Sequence, residues 1–207
     1  MRAWLLAALA AILAGCSFSS PVQLSAEQVE ARAAEILPGA APVGALKGVL
    51  YVDVEDAEAA VLAADLAELS PSALKGDSLR IVVGRPKVTW GEEESAERIQ
   101  ALIERQRERK EDQMKKLSQE VEIMDGRPVV VTRYELLSDG RQLQQWSSVF
   151  PRRTGLAVVL VLGPADSFNA GLAGRFLAGI QPARPAAAET GRSRPGERRG
   201  AKPRDRR

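Results

Sequence analysis

The sequence predicts an α+β fold: an antiparallel β-sheet, laid out as a meander and sandwiched by helices. Three observations lead there. Residues 119–162 hold four β-rich runs separated by Asp125-Gly126, by Ser138-Asp139-Gly140 and by a turn over 152–155, which is the spacing of hairpin-linked strands. The run 156–162 is apolar at every position, as a central strand covered on both faces requires. Segments of helical period flank these strands, and such grouping favours α+β over strictly alternating α/β architecture.

The elements follow in order. Ser25-Ala26-Glu27-Gln28 is a capping box, with the serine as N-cap and the glutamine three residues on. Val29, Ala33, Ile36 and Leu37 then share a helical face, and Pro38-Gly39 stop the helix. Residues 49–54 are rich in β-formers and read as a strand. Asp56 is placed to cap a helix with the stripe Val61, Leu62, Leu66 and Leu69, ending at Ser70-Pro71. Residues 79–83 make a further strand, which Val88-Thr89-Trp90 can continue past Pro86.

Residues 92–117 are the longest helical candidate. Glu92, Glu93 and Glu94 start it, and Lys115 and Lys116 lie near its end, both favourable against the helix dipole. Its apolar stripe of Ala96, Ile99, Leu102 and Ile103 lapses over 106–110 and resumes at Met114 and Leu117. The charged middle is expected to face solvent, supported by pairs such as Arg107–Glu111. After the meander, Gly163-Pro164 are expected to end the last strand and Asp166 to cap a final helix. On that helix Phe168, Leu172, Phe176 and Ile180 are spaced by four. Gly171 and Gly174 each cost about 1 kcal/mol against alanine, which a close approach of helix to sheet would offset. Residues 181–207 are rich in Pro, Arg, Gly and Ala without period, a composition of disorder.

Composition removes several chemistries. The chain has no histidine and a single cysteine, Cys16. Ser-His-Asp and Cys-His catalysis and His-ligated zinc are therefore excluded, and no internal disulfide can form. Ser72-Ala73-Leu74-Lys75 matches S-x-x-K, but the S-x-N and K-T-G elements that must accompany it are missing. Asp53, Glu55 and Asp56 offer carboxylates for calcium without the D-x-D-x-D-G loop. Glu92 to Glu94 read better as a helix start than as an acid-base pair. No catalytic residue, metal ligand or cofactor is assigned.

Two binding features stand out. Tyr134, Trp146 and Trp90 are candidates to line a ligand cleft between sheet and helix, with core packing as the simpler use. Arg133 and Glu135 alternate with Tyr134 and are expected to pair across strands on the outside. The second feature is charge asymmetry. Residues 181–207 carry nine Lys or Arg against three acids, a net of +6, which leaves −5 on residues 16–180. Arg192, Arg194, Arg198, Arg199, Lys202, Arg204, Arg206 and Arg207 could contact anionic lipid or a cell-wall polymer. The tail has no aromatic residue for base stacking, and nucleic acid is not an expected partner.

The N-terminus supplies an address. One basic residue, Arg2, precedes an apolar run over 3–13, followed by Leu13-Ala14-Gly15-Cys16 and the polar Ser17 to Ser20. This is the layout of a secretory signal, and the apolar run is too short to span a bilayer. Ending on cysteine, the stretch resembles a bacterial lipobox. The resemblance implies cleavage after Gly15, lipidation of Cys16 and a membrane anchor. Residues 1–15 are then the signal peptide, 16–24 a tether, 25–180 one α+β domain and 181–207 the basic tail. Ser17, where a sorting aspartate would retain the protein in the inner membrane, implies the outer membrane facing the periplasm.

Over about 119–180 the chain also resembles the PsbP-like fold, which includes DcrB-type envelope lipoproteins. Gly126, Tyr134, Gly140, Gln145, Gly155, Phe168, Phe176 and Ile180 carry that similarity. Its members include adaptors and photosystem accessory proteins. The function expected is a non-catalytic accessory or protein-interaction module of the envelope, working through the charged face of 92–117 on an envelope protein partner. A small-molecule or lipid carrier is the alternative, and a hydrolase ranks last.

Overall fold

The computed structural model describes residues 24–54, 57–87, 114–152 and 155–181. Its strands are β1 (Lys47–Val54), β2 (Ala57–Ala63), β3 (Arg80–Pro86), β4 (Met114–Met124), β5 (Arg127–Ser138), β6 (Arg141–Pro151) and β7 (Leu156–Pro164). They form one sheet in the order β1-β2-β3-β7-β6-β5-β4, and every pairing is antiparallel. Two meanders thus meet where β3 pairs with β7. Helix α1 (Ala26–Ile36) precedes the sheet and helix α2 (Ala170–Gly179) follows it, so the α+β class and the β4–β7 meander are present.

Turn chemistry sets the second meander. Asp125 and Gly126 have φ of 49° and 73°, and Asp139 and Gly140 repeat those values. Positive φ at both central residues is the mirror-image turn whose twist matches antiparallel strands. β7 is buried along its whole length, Gly163 and Pro164 included, so these residues close the strand from within and do not stop it early.

Both helices lie on one face of the sheet. Ser25 caps α1 through the complete capping box. Val29, Ala33 and Ile36 of α1 join Leu172, Ala173 and Phe176 of α2 over Ile81, Val159, Val161 and Phe150 in one core. The opposite face has its own apolar cluster of Val52, Ala59, Val61, Val82, Val158 and Leu160. Among the described residues that face is met by Leu69, on the single-turn helix Leu66–Leu69, and by no α-helix. The expected sandwich is therefore one-sided within the described residues.

Three element assignments change. The segment expected as a helix after Asp56 is strand β2, fully buried, before the turn Leu66–Leu69. Ala-Glu-Ala-Ala-Val-Leu-Ala favours helix locally, but pairing with β1 and β3 on both sides overrides that weak preference. Asp56 itself lies outside the described residues. Residues 114–117 of the expected 92–117 helix belong to β4, opposite 134–136 of β5, with a bulge between Lys116 and Ser118. The extra residue breaks the period of two and disguises the strand. Residues 88–113 lie outside the described residues. Finally, Asn169 and not Asp166 caps α2, its Oδ1 accepting from the Leu172 N–H at 2.9 Å.

Glycine does bring elements together, at different places from those expected. A Cβ on Gly174 would meet nothing within 4 Å, and one on Gly171 only side-chain atoms at ordinary distance. Close contacts are at Gly48 of β1, where a Cβ would stand 2.5 Å from the Ala26 carbonyl oxygen of α1, and at Gly39, where one would stand 2.2 Å from the Gly179 carbonyl oxygen. The Gln181 N–H donates to the Pro38 carbonyl at 2.8 Å beside it. Two arginines cap the helix ends that meet here: Arg127 Nη2 donates to Ala178 O at 2.7 Å and Arg152 Nη2 to Glu35 O at 3.0 Å.

Candidate functional site

Strand parity decides what the predicted cleft residues can do. Trp146 of β6 registers with Arg133 of β5, and Tyr134 with Gln145. Successive side chains on a strand point to opposite faces, so Tyr134 and Trp146 are separated by the sheet and do not line one cleft. Trp90 lies outside the described residues. Trp146 is buried on the helix face, with its ring centroid 5.2 Å from that of Phe168. The Arg133 guanidinium lies over the indole at 4.9 Å from the centroid. The site next to Trp146 is thus filled by neighbours.

Arg133 organises the outer part of this face. Its Nη1 donates to Glu120 Oε2 at 3.0 Å and to Ser118 Oγ at 3.2 Å, and its Nη2 donates to Glu122. The hydrogen bond and charge of Arg133 hold the Glu120 carboxyl below the usual carboxylate range. The expected Arg133–Glu135 pair is replaced by these contacts to β4, because Glu120 and Glu122 stand on the same face as Arg133. Two buried polar atoms nearby, Trp146 Nε1 and Ser148 Oγ, have no hydrogen-bond partner, and neither does Gln145 Oε1 on the opposite face.

A second charged cluster lies across β1, β2 and β3. Glu58 is buried and accepts from the Tyr51 hydroxyl and from Arg85 Nε. Burial and the adjacent Glu58 carboxylate push the Tyr51 phenol well above its ordinary range. Arg32 of α1 covers the Tyr51 ring at 5.8 Å from its centroid. Asp53, one of the carboxylates considered for calcium, is paired with Lys87, while Glu55 and Asp56 lie outside the described residues. Among the described residues no group of three or more Asp, Glu, Cys or His is placed to hold a metal.

The other buried charges are equally committed. Glu68 Oε2 accepts from the Ala64 N–H at 2.8 Å. Arg80 donates to the Leu69 carbonyl, and burial lowers its guanidinium to about 10. Ser72 Oγ shares a hydrogen bond of 2.8 Å with Ser70 Oγ, and its carbonyl accepts from Arg141; Lys75 is exposed. Arg141 also lines an open groove of about 470 Å³ with Leu137, Gly140, Gln142, Pro164 and Asp166, but its Nη1 is spent on Ser72 O and Leu74 O.

One surface of the domain is not apparent from composition or motifs. Val121 and Ile123 of β4 are 64% and 71% exposed, and Val130 of β5, opposite Val121, is 46% exposed. All three lie on the face opposite Arg133. The available signal was parity: Glu120 and Glu122 alternate with Val121 and Ile123, so once the acids turn toward Arg133 the apolar residues turn away. The candidate lipobox Leu13, Ala14, Gly15 and Cys16 lies outside the described residues. So do the tail cations Arg194, Arg198, Arg199, Lys202, Arg204, Arg206 and Arg207. No described helix is long and apolar enough to cross a membrane.

Comparison with known proteins returns no matching family model and no matching curated protein. What fold and surface define is an antiparallel α+β sheet domain. Its buried charges serve the scaffold, and exposed apolar side chains gather on its outermost hairpin.

Proposed function

We propose that this chain is a lipid-anchored envelope protein acting as a non-catalytic accessory or protein-interaction module. Cys16 is the lipid attachment point, and the outer membrane facing the periplasm is the location. The observation that carries the binding reading is the contrast between the inside and the outside of the sheet. Glu58, Glu68 and Arg80 are each bound to a fixed neighbour, while Val121, Ile123 and Val130 stand open to solvent. A reacting site needs titratable groups turned toward a substrate; a docking surface needs exposed apolar area.

The finer fold reading, PsbP-like, draws support from the β4–β7 meander, from Gly126, Gly140 and Gly155 at positive φ, and from buried Phe176 and Ile180 at the end of the chain's core. The carrier alternative is less favoured, because Phe168 and Arg133 occupy the space beside Trp146.

Crosslinking in intact envelopes tests the reading. The tagged full chain is expected to give discrete adducts that Val121→Lys removes. Adducts identical to those of an unrelated lipoprotein, unchanged by Val121→Lys, would refute it.

A further inference from the structure

We infer that β4 is a docking edge for a second copy of this chain, the two copies pairing antiparallel through it. The inference deepens the binding reading above and uses the same surface, but it does not depend on the anchor. β4 ends the sheet, and among the described residues nothing pairs with its outer side. An edge strand of eleven residues whose outer N–H and C=O groups meet no partner among the described residues is a template for another strand.

The edge is guarded unevenly. Lys115, Lys116 and the bulge between Lys116 and Ser118 protect its first half. Residues 119–124 hold no lysine and no bulge, and here Val121 and Ile123 are exposed beside Val130. The unguarded half is therefore also the apolar half.

Charge order selects a like strand as the occupant. The lysines come first on β4, and Glu120 and Glu122 come later. Reversed against itself about Gln119, the basic half of each copy runs beside the acidic half of the other. Opposite charges across strands favour the pair, and like charges disfavour it. With Leu117 as the bulged residue, the same reversal sets Lys115 level with Glu122, both on the face that carries Arg133. Glu120 and Glu122 keep 58% and 27% of their side chains exposed while holding Arg133, so a lysine from the second copy can extend the network. The features that repel an arbitrary strand thus suit this one, as specificity requires.

The test is thiol crosslinking of the full chain in its own membranes. Cys16 is the only cysteine, so Gln119→Cys introduces a single new reporter. A short bis-maleimide, which adds one cysteine thiol at each end, should yield one product of twice the chain mass, absent from the unaltered chain and from Lys75→Cys. Val121→Lys or Lys115→Glu, added to Gln119→Cys, should weaken the pairing about tenfold while circular dichroism stays unchanged. A product of any other mass overturns the second copy and leaves the binding module standing. No product at all, from a folded chain, overturns both the pairing and the use of this surface.

Discussion

Arg133 spans three strands: from β5 it covers the Trp146 ring on β6 at 4.9 Å and holds Glu120 and Glu122 on β4. The arrangement ties the outer edge strand to the core through one side chain. Arg133→Met uncovers the indole and leaves Glu122, only 27% exposed, without its cation. The expected loss is about 1–2 kcal/mol by urea unfolding, and Arg133→Lys recovers only part of it because lysine lacks the planar fork.

The same contact makes a pH prediction. Glu120 is held below its ordinary value by Arg133, so its contribution is present above the ordinary 4.5 and is lost as pH falls through the lowered value. Stability measured between pH 6 and about 3 should drop in the parent chain. The drop should be smaller in Arg133→Met.

Tyr51 predicts the opposite limb. Its phenol is raised by burial and by Glu58, so the unfolded chain releases that proton first. Stability is intact below the ordinary 10.0 and declines as pH rises above it. Tyr51→Phe should remove this alkaline decline, read by thermal melts from pH 8 to about 11. At neutral pH it should cost about 1–2 kcal/mol, because buried Glu58 then keeps Arg85 as its side-chain partner and loses the hydroxyl.

Two glycines should respond with opposite signs. Gly174→Ala places a methyl in open space on a helix and should stabilise by about 0.5–1 kcal/mol. Gly39→Ala must adopt φ of 82° and drive its Cβ into the Gly179 carbonyl, a loss of about 2–4 kcal/mol. Equal effects in a melting comparison would contradict the packing described for the two helix ends.

Local signals were legible where the backbone itself demands a residue type. Asp125-Gly126 and Asp139-Gly140 announced their turns, Ser25 with Gln28 announced α1, and the unbroken apolar run of β7 announced a central strand. β2 was not legible, because an alanine-rich stretch becomes a strand only once β1 and β3 lie on either side of it. The run of β4 from 119 was legible, but its first residues, 114–117, were hidden by the bulge that follows Lys116. The cleft pairing of Tyr134 with Trp146 failed on parity, since residues of odd and even number along β5 and β6 fall on opposite faces once the register is known. The exposed strip of Val121, Ile123 and Val130 depended on the choice Arg133 makes between Glu135 and the acids of β4, which composition does not reveal.

The proposed anchoring through Cys16 is open to direct test by metabolic labelling. Cells expressing the parent chain and Cys16→Ser are labelled with a radioactive fatty acid, and the chain is captured, sized and partitioned between membrane and soluble fractions. Label is expected on the parent chain, in the membrane fraction, at the size left by removal of residues 1–15. Cys16→Ser should carry no label and run as the longer precursor. Label absent from the parent, or the same size and membrane partition for both chains, would contradict the anchoring.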